Sequence, residues 1–268
     1  MKTILAVFLL ALLSAGCRDK TAAPPAEPAA AEPEWIELFN GRDLEGWDVK
    51  IRGFALGDNY KNTFRVEDGV LKVSYDQYDD YNEEFGHLFY KTPFSHYRLR
   101  AEYRFAGEQV PGGPDWAYRN NGFMLHSQSA ESMGLHQDFP ISLEAQLLGG
   151  REAGERPTMN LCTPGSNVVI GGELRTEHCM NSTSKTYRGD QWVTVEMVVL
   201  GDSVIHHLVE GDTVLTYHRP VIGGGAISDY NPDAYTEGRP MASGYIAIQA
   251  ESHPTEFRRI VLQDLSKK

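Results

Sequence analysis

The sequence predicts an all-β fold: a two-sheet antiparallel sandwich of the jelly-roll kind. Three observations carry this. Apolar and polar residues alternate with period two in several stretches, the mark of a strand with one buried face. Turn signals separate those stretches. No stretch beyond the first seventeen residues shows a sustained helical period.

The chain opens on an export signal. Lys2 gives a short positive start, Ile4 to Leu13 is an unbroken apolar run, and small Ser14, Ala15 and Gly16 precede Cys17. The run is too short to cross about 30 Å of hydrocarbon, so residues 1–17 read as a signal peptide. Cys17 stands where a bacterial lipoprotein is cut and acylated, which predicts a lipid anchor at the membrane and a place in the cell envelope, periplasm-facing or surface-exposed. The alternative is a plain secretory cut with an incidental cysteine. Residues 18–34 are rich in Ala, Pro, Glu and Lys and hold no aromatic residue, so they predict a disordered tether. Residues 35–268 then fit one large β domain.

Within that domain the strands follow one another. Phe64 to Val73 predicts a hairpin turning at Asp68-Gly69. Tyr97 to Phe105 puts Tyr97, Leu99, Ala101, Tyr103 and Phe105 on one face and Arg98, Arg100, Glu102 and Arg104 on the other. The bland reading of that polar face is a cross-strand charge ladder. Asn121–Ser127, Ser142–Leu148, Trp192–Leu200, Ser203–Val209, Val214–His218, Gly244–Ala250 and Phe257–Leu262 are further strands. Glu210-Gly211-Asp212 supplies one of the turns. Residues 54–62, 75–84, 107–119 and 159–185 are expected to be long irregular loops. Their Tyr and Trp content favours loops that build a site. Gly223, Gly224 and Gly225 have no helix behind them, so they are loop and not a phosphate cradle.

Charge and cysteines narrow the function. The formal net charge of −12 argues against nucleic acid and against peripheral binding to anionic lipid. With Cys17 assigned to the anchor, Cys162 and Cys179 form an even pair in an exported chain, which predicts a disulfide over two free thiols.

Several segments together resemble a known family. They are Trp35 to Trp47 (WIELFNGRDLEGW), Phe64 to Leu71 (FRVEDGVL), Leu99 to Arg104, Asn121 to His126 (NGFMLH), Leu143 to Gln146 (LEAQ), Gly244 to Glu251 (GYIAIQAE) and Glu256 to Ile260. In this order they are similar to the 3-keto-disaccharide hydrolase domain family, over Trp35 to Leu265. The chain departs from it in its long inserted loops and in Arg259, where Asn is usual. The resemblance implies a concanavalin-like jelly roll acting on an oligosaccharide or glycoside oxidised at sugar carbon 3. A sugar 3-oxidoreductase acting upstream would supply the ketone. The reaction expected is elimination or net hydrolysis of the glycosidic bond. The alternative is a non-catalytic carbohydrate-binding envelope lipoprotein.

A ketone at carbon 3 acidifies the hydrogen on carbon 2, so the site needs a base, a holder for the enolate oxygen and an acid. Glu144 and Gln146 lie two apart on a strand and share a face, with Leu143, Ala145 and Leu147 opposite. Glu144 is the expected base, His126 and Glu251 further catalytic groups, and Gln146 and Gln249 substrate ligands. Gln249, Glu251 and His253 are expected to line up as a polar floor. Arg119 offers a fork of donors for the ketone or enolate oxygen. Trp116, Tyr118 and Tyr81 are expected to stack on sugar faces. Glu144, His126 and Glu251 together would suit a divalent metal ion, although no ligand spacing demands one.

Overall fold

The computed structural model describes residues 34–266. The signal peptide with Cys17 and all of the tether except Glu34 lie outside these residues. The described chain forms seventeen strands. They are β1 (Trp35–Glu37), β2 (Trp47–Ile51), β3 (Phe64–Glu67), β4 (Val70–Val73), β5 (Gly86–Phe94), β6 (His96–Phe105), β7 (Asn120–Ser127), β8 (Leu143–Leu148) and β9 (Asn160–Cys162). The remainder are β10 (Ser166–Ile170), β11 (Glu173–Arg175), β12 (Cys179–Met180), β13 (Val193–Leu200), β14 (Val204–Val209), β15 (Asp212–Ile222), β16 (Gly244–Ala250) and β17 (Thr255–Asp264).

Two antiparallel sheets result, as expected of a jelly-roll sandwich. The ten-stranded sheet runs β11-β10-β15-β14-β13-β6-β17-β4-β3, with β1 also on β17; the seven-stranded sheet runs β12-β9-β8-β7-β16-β5-β2. Alternation sets what each sheet gives to the core. Tyr97, Leu99, Ala101, Tyr103 and Phe105 of β6 are all buried, as are Val193, Val195, Met197 and Val199 of β13. Leu143, Ala145 and Leu147 of β8 fill the facing side. Phe123 of β7 meets Phe257 of β17 edge to face at 5.6 Å, one ring from each sheet. The β3–β4 hairpin turns where expected: Asp68 and Gly69 both take positive φ, at 52° and 77°, the two-residue geometry whose twist matches the strands.

One expectation is corrected, and one strand was not foreseen. Residues 159–185 are not one irregular loop, because they hold β9 to β12. Of these, β9 and β12 extend the seven-stranded sheet and β10 and β11 extend the other. Strands of two to five residues are too short for a period to show. The unforeseen β5 hid for another reason. His87, Leu88 and Phe89 are all buried, so both of its faces are covered and the sequence does not alternate.

Candidate active site

The outer face of the seven-stranded sheet carries a row of polar side chains, one per strand at the same level. Gln146 of β8 pairs in register with Asn160 of β9 and with Gly122 of β7. Gln249 of β16 pairs with His87 of β5, which pairs with Lys50 of β2. One step beyond the Ile248–Phe123 pair, Gln249 lies beside Gly122 and closes the row. Gly122 matters because it has no side chain: a Cβ there would lie 2.5 Å from Oε1 of Glu144. Glu144 therefore lays its carboxyl group over Gly122, in the middle of the row.

The row opens into a cleft of about 760 Å³ lined by Glu144, Gln146, Asn120 and Glu251 on its polar side. Trp116, Phe139, Pro164, Ile227 and the Cys162–Cys179 pair form much of the rest. The two cysteines are joined in a disulfide between β9 and β12. Cys162 is the register neighbour of Glu144, which brings the bridge to the site. Trp116 is half exposed at the cleft and stacks on Phe85 at 6.0 Å. Loops are pinned around it. Ser228 donates its backbone N–H and its hydroxyl to Asp138, and Arg151 pairs with Asp115 at 2.9 Å.

Glu144 and Glu251 are both buried, at 5% and 3% exposure. Burial pushes the Glu144 carboxyl up to about 8. Burial also raises Glu251 well above the usual carboxylate range, and the charge of Glu144 adds to the effect while Arg156 opposes it. Two buried carboxyls that repel each other do not both ionise at neutral pH. The pair therefore titrates as a unit in which one carboxyl keeps its proton when the other ionises. Arg156 cannot neutralise the pair by direct bonding. Its fork donates to the carbonyls of Tyr118, Arg119, Gly149 and Trp116, fastening the loop that carries Trp116. Burial lowers its pKa to about 10, so it stays charged at neutral pH. Nothing in the sequence marked Arg156.

The structure brings Glu144, Gln146, Glu251 and Trp116 to one cleft, with Gln249 in the adjoining row. Other expected residues go elsewhere. His126 does not share the face of Gly122 and Met124. It sits at φ 47° in a bulge of β7, where three residues oppose two of β16, so its side chain leaves the alternation. Its Nε2–H donates to the carbonyl of Gly201, and its ring meets Tyr97 edge-on. It lines a second cleft of about 420 Å³ with Gln128, Met241 and Tyr245. Arg119 turns away to Gly189 and Asp190, with which it forms an ion pair. Tyr81 is buried in the core between Tyr75 and Phe85. Tyr118 packs on His253 and under Arg151, outside the cleft lining. His253 leaves the polar floor because Ser252, at φ 89°, reverses the chain after β16.

The metal set expected from Glu144, His126 and Glu251 is not assembled, since His126 lies in the other cleft. Among the described residues, the metal-ligating side chains that come within 4.8 Å of one another are Cys162, His178 and Cys179. Both of those sulfurs are committed to the disulfide, so this trio does not fit a resident ion.

Residues 34–263 match the 3-keto-alpha-glucoside-1,2-lyase-like domain. No curated protein matches the chain. Two solved structures from Parabacteroides distasonis ATCC 8503, both provisionally described as glycosyl hydrolases, share its fold. One is 17% identical with a TM-score of 0.50, covering 87% of this chain and 94% of its own. The other is 15% identical with a TM-score of 0.51, covering 87% and 100%. The Ca²⁺-bound VIP36 exoplasmic/lumenal domain is 10% identical with a TM-score of 0.47, covering 86% and 89%. With the profile matched over nearly the whole described chain, this protein belongs to the 3-keto-alpha-glucoside-1,2-lyase-like domain family.

Proposed function

We propose that the protein cleaves 3-keto-glycosides by eliminating the group on carbon 1. Family membership makes the function a carbohydrate-related one. The observation that carries the finer reading is the pair of buried carboxyls in one cleft, Glu144 raised by burial and Glu251 by burial and then by the charge of Glu144. Such a pair separates a base from an acid at one pH.

Glu144, as carboxylate, takes the proton from carbon 2. The electrons of that C–H bond form a C2=C3 double bond, and the ketone pair moves onto the carbon-3 oxygen. The carbonyl then re-forms, C1=C2 forms, and the C1–O bond breaks with its electron pair on the leaving oxygen. Glu251 gives its proton to that oxygen. Water adding across C1=C2 would turn the elimination into net hydrolysis. Gln146 lines the cleft, its carbonyl oxygen accepting from Asn160 at 3.1 Å, which leaves its N–H groups for sugar hydroxyls, and Trp116 would stack on a ring or on the leaving group. In this reading the ketone comes from a sugar 3-oxidoreductase acting first, and Cys17 holds the enzyme to a membrane of the cell envelope.

The test is incubation of the protein with a 3-keto-glucoside and with its unoxidised parent. Turnover of the keto sugar alone is expected. Equal cleavage of both would replace elimination by ordinary glycoside hydrolysis. Sugar binding without turnover of either would make the domain a binding module.

A further inference from the structure

His87 has had no role so far and Gln249 only that of an expected substrate ligand, yet they are the most unusual pair on the sheet. Both are 0% exposed. Both ring nitrogens of His87 and both amide atoms of Gln249 lack a hydrogen-bond partner. Buried polar groups in folded proteins are paired, because an unmade bond costs about 1–3 kcal/mol. Four such atoms on two adjacent side chains therefore point to a ligand. The two residues are direct register partners on β5 and β16, so their side chains rise together from one face. The Asn121 side-chain N–H donates to the backbone carbonyl of Gln249 at 2.6 Å, fixing that strand against β7. Gly122, the neighbour of Gln249 across the β7–β16 pair, has no side chain, and the Glu144 side chain takes the space that a Cβ would fill there, so the carboxyl lies over the strand position beside Gln249.

We propose, resting on the reading of the cleft given above, that His87 and Gln249 bind the carbon-3 oxygen of the keto sugar and stabilise the enolate. Neutral imidazole offers one N–H and one lone pair; a carboxamide offers two N–H and a carbonyl. One N–H from each meets the carbon-3 oxygen. The imidazole lone pair and the amide carbonyl are left to accept from a neighbouring hydroxyl. Fixed donors aimed where negative charge develops are an efficient form of transition-state stabilisation, and more so in a buried site. Burial, and then the charge of Lys50, hold His87 neutral, down to about 3, so it acts as donor and not as an acid. Lys50 itself donates to the carbonyls of Ile51, Phe54 and Leu135. Its charge, one strand beyond His87, favours an enolate without bonding to it. His87 and Gln249 lie behind the lining of the cleft; Phe139 lines it and meets His87 edge-on at 6.0 Å, so the ketone end of the sugar must pass that ring to reach the pair.

The experiment uses methyl 3-keto-glucoside labelled with ¹³C at carbon 3. Bound to Glu144→Gln, which cannot take the proton, its ketone stretch should move to lower wavenumber than in solution. That shift should vanish when His87→Phe and Gln249→Leu are added. In the otherwise wild-type protein each of these two should lower kcat by about 10²–10³ with a smaller change in KM. His87→Gln, which keeps an N–H donor, should recover part of the loss. If the double substitution impairs folding, Gln249→Leu and His87→Gln alone decide. Turnover by the wild type with an unmoved ketone band, or with kcat unchanged in both single variants, overturns the enolate role and leaves the reaction standing. A shifted band without wild-type turnover overturns the reaction and leaves the ketone-binding pair. Failure to bind the keto sugar overturns both.

Discussion

The outer faces of the two sheets are built from similar sequence and do opposite things. On the ten-stranded sheet, charges alternate with core residues along β6, β13 and β17. Arg98 and Arg100 both pair with Glu196, Arg104 with Glu256, and Arg258 with Glu102. On the seven-stranded sheet the polar residues at the same alternating positions are Glu144, Gln249 and His87. They are buried, and each keeps atoms without a partner. One face satisfies its charges with one another, even Glu196, which is as buried as Glu144. The other holds polar groups under loops and leaves them for a ligand. Polarity by itself does not distinguish a ladder from a site; partnership does.

The largest contrast between the faces is in turnover. Glu144→Gln should lower the rate of keto-sugar cleavage by about 10²–10⁴ while leaving sugar binding in place. Steady-state kinetics beside a binding titration separates the two. Retention of more than about a tenth of the activity is below the loss expected of a catalytic base, and would move attention to Glu251.

The disulfide is the next effect in size. Cys162 and Cys179 are seventeen positions apart, and closing a loop of that length stabilises by about 3 kcal/mol in the chain-entropy view. Replacing both by Ser should lower the unfolding midpoint accordingly. It should also loosen residues 159–185 before the sheets, because the bridge joins the short β9 and β12 at the sheet edge. Hydrogen exchange resolved by segment reads this; uniform loss of protection would contradict it.

A smaller effect concerns stability against pH. The Glu144 pKa is raised by folding from 4.5 to about 8. The folded state thus binds the proton more tightly than the unfolded state. Its contribution is fully present below 4.5 and is lost as pH rises towards 8. Gln has no such proton. The Tm difference between Glu144→Gln and the wild type should therefore grow in favour of the variant across that window. A constant difference would mean that Glu144 is not held neutral by burial.

The smallest effect belongs to the other face. Glu102→Gln removes one partner of the Arg258 pair, whose side chains are 21% and 48% exposed. It should change stability by about 1 kcal/mol or less and leave turnover untouched. A loss of activity there would erase the contrast between the faces.

What the sequence made legible follows the same division. Strands with one wet face, such as β6 and β13, could be read from their alternation, and so could the β3–β4 turn. Glu144 and Gln146 could be placed on a shared face because Leu143, Ala145 and Leu147 fix the other. His126 was misplaced because a bulge shifts the period by one residue, and no residue type announces a bulge. His87 was missed because β5 is covered on both sides. Arg156 acts through backbone carbonyls of two separate loops, which only the folded chain brings together.

The central claim, that Glu144 removes the hydrogen from carbon 2 of a 3-keto-glycoside, is tested most directly by isotopic substitution at that carbon. A 3-keto-glucoside deuterated at carbon 2 should react more slowly than its protiated form and should lose the deuterium to solvent. Glu144→Gln should lose both the rate and the exchange. Cleavage at full rate with deuterium retained in the product would show that carbon 2 is never deprotonated, and would contradict the account.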